Sequence, residues 1–168
     1  MDELARPATM EDLKALVRSL NEQGVDYLLI GGYALFAHGY QRATTDIDLL
    51  LPASVEAGEK IKKALMVLPE QAIKELDPQW FLEAETIRVG DEIVVDLMFN
   101  AAGQTFEMLS EFREIIEVDG IPVKTVSLAG LLLTKQTMRD KDAQDRRILE
   151  RAIQYLQNHG DDKVIGRP

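Results

Sequence analysis

The stretch Asp26-Tyr27-Leu28-Leu29-Ile30-Gly31-Gly32-Tyr33-Ala34-Leu35-Phe36-Ala37 decides the fold when read with Thr44-Thr45-Asp46-Ile47-Asp48-Leu49-Leu50-Leu51-Pro52. Residues 26–30 form a short apolar run, which predicts a buried strand. The glycine pair after it predicts a tight turn, and residues 33–37 predict a short helix. Residues 46–51 predict a second strand, stopped by Pro52. On a strand, residues two apart share a face, so Asp46 and Asp48 project side by side. Two anions that close repel unless a cation stands between them. A divalent metal is the simplest such cation. Read alone, the pair better suits the solvated turn before a strand that starts at Ile47.

Three further features carry chemistry. Glycines let a backbone come close to a ligand, and a helix start offers N–H groups and a positive dipole end, a combination that favours phosphate. Alone, Gly31-Gly32 reads as a plain tight turn rather than a phosphate site. Asp96 stands inside the apolar run Ile93-Val94-Val95-Asp96-Leu97-Met98-Phe99. A carboxylate there is costly unless it is ion-paired or ligated. Lys135 follows Leu128, Leu131 and Leu132 at helical spacing, so it either snorkels to the surface or carries a charge into a cleft. The run Arg139-Asp140-Lys141-Asp142-Ala143-Gln144-Asp145-Arg146-Arg147 reads as a solvated helix junction, and it is also where basic residues gather.

Outward from this centre, Thr9 and Asp12 predict a capping box on a helix whose buried face is Leu13, Leu16, Val17 and Leu20, with Gly24 ending it. Residues 54–68 predict a helix with Ala57, Ile61, Ala64 and Leu65 inward. Residues 69–84 read as a short helix and a loop. Residues 85–89 and 92–99, joined by Gly90-Asp91, predict a hairpin, and residues 114–118 and 121–126, joined by Asp119-Gly120, a second. A short helix covers residues 106–112. Ser127 caps a helix expected to run to about Arg139. A last helix is expected over about 142–158, with Ile148, Ala152, Ile153 and Leu156 inward. The tail, 160–168, is expected to be loose. These elements imply one α/β (α+β) layer arrangement, a mixed sheet with helices outside it. One domain is expected over 1–168, with a core of about 9–158.

The composition narrows the chemistry. Hydrophobic residues are 46% of the 168 and charged residues 29%, enough apolar content for a core. With no cysteine, thiolate metal sites, disulfides and cysteine nucleophiles are excluded, which fits a cytoplasmic setting. Two histidines, His38 and His159, are too few for a histidine metal centre. A metal here would be held by oxygen, which favours Mg2+ or Mn2+. The net charge of −10 argues against nonspecific coating of nucleic acid. Residues 1–7 lack the apolar core of a signal peptide, and no run is long enough to cross a membrane.

The order of Gly31-Gly32, His38-Gly39, Arg42, Thr44, Asp46-Ile47-Asp48 and Asp96 resembles the polymerase-beta-like nucleotidyltransferase superfamily. The Arg-x-Thr-x-Asp-x-Asp stretch at Arg42, Thr44, Asp46 and Asp48 is most similar to small bacterial and archaeal members related to abortive-infection and toxin–antitoxin nucleotidyltransferase toxins. Lys135 and Lys141-Asp142-x-x-Asp145 resemble the lysine helix and the Lys/Arg-Asp-x-x-Asp segment of those proteins. The resemblance implies a nucleotidyltransferase fold, a mixed sheet of about five strands flanked by helices. It implies metal binding by Asp46, Asp48 and Asp96, with Asp96 also able to take a proton from the attacking hydroxyl. It places the β and γ phosphates of an NTP such as ATP on the Gly31 and Gly32 amides. Lys135 would neutralise triphosphate charge, Arg42 or Asp142 would position the lysine or substrate, and Thr44 would line the nucleotide site. The chain departs from many relatives in carrying Tyr33, where they have a Ser or Thr hydroxyl at or after the second glycine.

The implied reaction is transfer of an NMP from an NTP to an acceptor hydroxyl with release of pyrophosphate. The acceptor would be a tRNA end, a protein side chain or a small molecule, and a cognate toxin or antitoxin partner is expected. Two other readings predict different behaviour. A catalytically inactive module of the same fold would bind a nucleotide or a partner without turnover. An acidic metal-binding protein would bind metal independently of NTP.

Overall fold

The computed structural model describes residues 5–40, 44–136 and 140–159. The expected tail (160–168), Arg42 and Arg139 lie outside the described residues. Helix α1 (Met10–Glu22) opens on the expected capping box: the Thr9 hydroxyl accepts from the Asp12 N–H, and the Asp12 carboxylate accepts from the Thr9 N–H at 2.7 Å. Its buried face is Leu13, Leu16, Val17 and Leu20. Strand β1 (Leu28–Ile30) is buried throughout and runs through Gly31 into α2 (Gly32–Ala37). Strand β2 (Ile47–Leu50) follows, then α3 (Val55–Ala64), capped by Ser54.

Helix α3 is shorter than the expected 54–68. It tightens into a 3₁₀ turn, Leu65–Val67, and Leu68 turns extended at ψ 137. Pro69 follows Leu68, and a residue before proline is pushed out of the helical region. Residues 69–84 hold two 3₁₀ segments, Ala72–Glu75 and Pro78–Leu82. Strands β3 (Thr86–Gly90) and β4 (Val94–Met98) form the first hairpin. Helix α4 (Phe106–Leu109) and a 3₁₀ turn, Ser110–Phe112, lead to β5 (Arg113–Val118) and β6 (Ile121–Val126). This second hairpin turns through Asp119 and Gly120, both at positive φ, as a two-residue hairpin loop demands.

Helix α5 (Leu128–Leu133) corrects the expectation of a helix to about Arg139. The Thr134 and Lys135 N–H groups bond three residues back, to the Leu131 and Leu132 carbonyls, and the Thr134 hydroxyl caps the Leu131 carbonyl at 2.6 Å. That closes the last turn and leaves Lys135 on the turn after the helix. Helix α6 (Asp140–His159) starts slightly earlier than expected. Among its described side chains the most buried are Asp142, Asp145, Leu149 and Ala152, while Ile148, Ile153 and Leu156 are half-buried.

The six strands form one mixed sheet in the order β3-β4-β2-β1-β6-β5. β1 is antiparallel to β2 and parallel to β6; β2 is parallel to β4. One apolar core includes residues of α1, β1, β2, α3, β4, β6 and α5. None of the helices among the described residues is long and apolar enough to cross a membrane.

Candidate active site

Strand register brings the candidate carboxylates together. Asp48 of β2 pairs with Ile30 of β1 on one side and with Asp96 of β4 on the other. Asp48 and Asp96 are therefore neighbours across a parallel pair, and Asp46 lies two residues upstream at the mouth of β2. Asp96 is buried, whereas Asp46 and Asp48 are half-buried. The Thr45 hydroxyl donates to Asp46 Oδ1 at 3.0 Å.

The glycine pair answers to this packing. Gly31 sits at φ +74, and a Cβ there would stand 3.1 Å from Asp48 Cγ. A Cβ on Gly32 would come within 2.6 Å of Thr44 Cβ. Both positions must be glycine for the β1–α2 turn to lie against β2 and the segment before it. Tyr33, which stands where many relatives carry a hydroxyl residue, belongs to the core. It is buried, its hydroxyl donates to the Ala8 carbonyl, and burial raises its pKa. The Ala8 N–H in turn donates to the Thr45 carbonyl at 3.0 Å, so the segment before α1 is fastened beside Asp46.

A residue without a place in the sequence reasoning occupies the carboxylates. Arg88 of β3 pairs across the hairpin with Asp96. Its Nε donates to Asp96 Oδ1 at 2.9 Å and its Nη2 to Asp96 Oδ2 at 3.1 Å, a two-pronged guanidinium–carboxylate pair. The same Nη2 reaches Asp46 Oδ2 at 3.3 Å. With the side chains so disposed, no group of three carboxylates or histidines among the described residues is gathered for a metal ion. A Gly90-Asp91 turn of two residues would set Arg88 opposite Ile93. The observed strands end at Gly90 and resume at Val94, which moves Arg88 opposite Asp96. That three-residue connection is shaped by Asp91, whose buried carboxylate accepts from the backbone N–H groups of Glu70, Ala72 and Glu92 at 2.7–2.9 Å.

Lys135 does not snorkel. It is 7% exposed, with Nζ 3.4 Å from Asp142 Oδ1 and 3.1 Å from Asp145 Oδ2, and both aspartates are buried. Arg146 donates to the Lys135 carbonyl. The Lys-Asp-x-x-Asp segment thus folds its two aspartates onto Lys135 and joins the end of α5 to α6. The side chain of Lys141 lies outside the described residues. His38 packs in the core with Nε2 2.8 Å from the Val126 carbonyl, tying α2 to the end of β6.

A family model described as nucleotidyl transferase AbiEii toxin, type IV toxin–antitoxin system, matches residues 14–147. This chain belongs to the AbiEii nucleotidyltransferase toxin family. The match spans Asp46, Asp48, Asp96, Asp142, Asp145 and Lys135 and ends just after Arg146. An AbiEii-family fold also agrees with a crystal structure of a candidate nucleotidyltransferase from Thermotoga maritima. The two are 15% identical over 89% of each chain, with a TM-score of 0.52, a likeness of fold. No curated protein matches the chain. In line with the mixed sheet of about five strands that the resemblance implied, the described residues of this AbiEii-family chain form a mixed sheet of six.

Proposed function

We propose that the chain is a divalent-metal-dependent nucleotidyltransferase that moves an NMP from an NTP to an acceptor hydroxyl, releasing pyrophosphate. The observation that carries the reading is the register of Asp48 with Asp96 on parallel central strands, with Asp46 two residues upstream. The donor set fits a hard divalent cation, because all three groups are carboxylates. A positive group, the Arg88 guanidinium, already bonds two of them, so the position favours a cation. Asp46, Asp48 and Asp96 would hold the ion. When bound, it would neutralise charge on the triphosphate and favour in-line displacement at the α-phosphorus.

The chain's own residues do the rest. Gly31 and Gly32 present main-chain amides to the β and γ phosphates, at a helix start with no side-chain cap. Thr44, packed on Gly32, lines the nucleotide site, and Arg42 is assigned to nucleotide binding. Asp96 accepts the proton of the acceptor hydroxyl. Lys135 contributes positive charge toward the triphosphate, positioned by Asp142. The family's toxin–antitoxin designation supports a cognate antitoxin. The acceptor is a tRNA end, a protein side chain or a small molecule.

The test is transfer of label from α-labelled NTPs, each offered with tRNA, protein and small-molecule acceptors in Mg2+ or Mn2+. Wild type is expected to label an acceptor, and Asp48→Asn to lose at least about a hundredfold in rate, as when a group stabilising transition-state charge is removed. Undiminished labelling by Asp48→Asn would refute the assignment. A second reading, an inactive module of the same fold, is favoured by one observation: Arg88 already bonds Asp96 and Asp46, as in a structural ion pair. It predicts no labelling with any NTP.

A further inference from the structure

We propose that Arg88 is a displaceable internal counter-ion. It holds Asp46 and Asp96 while the site lacks a metal, and it gives way when a divalent cation arrives. The proposal rests on the metal-site reading above and goes beyond it by making metal binding a competition between ion and guanidinium.

Asp46, Asp48 and Asp96 are three carboxylates within one patch of β2 and β4, and without a cation their mutual repulsion disfavours the fold. Arg88 meets that need. Its fork takes both oxygens of the buried Asp96 and one oxygen of Asp46. Those oxygens are the ones a metal would need. A guanidinium left in place beside a bound dication would suffer like-charge repulsion, so the two cannot share Asp96 on equal terms.

The location of Arg88 lets it leave. β3 is an edge strand, paired with β4 and at the end of the sheet order. The Arg88 side chain is 48% exposed although its partner Asp96 is 12% exposed. The guanidinium can therefore swing into water while the buried carboxylate stays, and no core side chain has to move. A permanent structural ion pair needs no such route.

The experiment is titration of the metal-free full-length protein with Mn2+, without nucleotide, reading free Mn2+ by its EPR signal. Thermal melts are run in parallel. Four proteins are compared: wild type, Arg88→Gln, Arg88→Lys and Asp96→Asn. Arg88→Gln is expected to lower the apparent Kd for Mn2+ about threefold to tenfold, because a partly exposed, two-pronged charge pair no longer competes. Its metal-free Tm should fall, and its Tm gain on adding Mn2+ should exceed that of wild type. Arg88→Lys keeps the charge and loses the fork, so its Kd should fall between the two. That variant also serves if Arg88→Gln does not fold.

Asp96→Asn should bind Mn2+ far more weakly than wild type. If it does, while both Arg88 variants bind Mn2+ no more tightly than wild type, the counter-ion proposal is overturned and the carboxylate site stands. If neither wild type nor the Arg88 variants bind Mn2+, the proposal and the metal-site reading fall together. A role for Arg88 in stability alone would lower Tm without tightening Mn2+ binding.

Discussion

Lys135 carries its charge into the protein interior and meets two buried carboxylates there. Removing one member of such a group leaves the others uncompensated, which typically costs about 3–5 kcal/mol. Lys135→Met keeps the stem and removes the charge. Urea unfolding should show a loss of about that size, and a change below about 0.5 kcal/mol, the range of ordinary surface substitutions, would mean that the cluster is solvated. The sequence suggested the lysine and the Asp-x-x-Asp segment as features of one site. It did not show that they satisfy each other, because their meeting depends on how α5 ends. The three candidate carboxylates were more legible. An aspartate two residues from another at a strand start, and a third inside an apolar strand, are unusual enough to be seen without coordinates. Arg88 was not legible. Its role comes from the β3–β4 register, and the register comes from a connection held by Asp91, whose partners Glu70 and Ala72 are distant in sequence.

At the scale of elements, α1 shows local sequence reading at its best. Thr9 and Asp12 cap the helix, and Arg6 joins them, with Nη1 2.6 Å from Asp12 Oδ2. The Arg6 hydrogen bond is the main reason that the Asp12 pKa falls from 3.8 to about 2, with the Thr9 backbone and hydroxyl adding to it against burial. A carboxyl whose pKa is lower in the folded chain stabilises the fold when ionised. That contribution is whole above the ordinary pKa near 3.8 and fades as pH falls toward about 2. Wild type should therefore be more stable than Asp12→Asn at neutral pH. The gap should narrow below about pH 4 and close near pH 2. A gap independent of pH would show that Asp12 acts through its shape alone. Helices α3 and α5 were read too long for a shared reason. Periodicity locates an apolar face well, but the stop was set in one case by Pro69 acting on Leu68, and in the other by three-residue hydrogen bonds and a threonine hydroxyl.

At the scale of the molecule, the sheet order puts the candidate site near the middle. β2 and β4 carry the aspartates and β1 delivers the glycine turn beside them, while the two hairpins supply the edges. The mixed sheet and flanking helices followed from turn signals and alternation, since each strand is short and bounded by glycine, proline or a cap. The order of the strands was not contained in those local signals, because parallel pairing of β1 with β6 and of β2 with β4 joins segments far apart in the chain. A net charge of −10, concentrated here by three carboxylates, makes an anionic triphosphate a poor ligand unless cations accompany it. On the proposed mechanism, nucleotide and metal therefore bind together through Asp48 and its neighbours. The most direct measurement is thermal stability of wild type and Asp48→Asn with each NTP, with and without Mg2+. Wild type should gain stability with an NTP only when Mg2+ is present, by about 2.7 kcal/mol at a hundredfold excess over Kd, and Asp48→Asn should gain little. An equal gain in both proteins, or none in wild type with any NTP, would contradict the account.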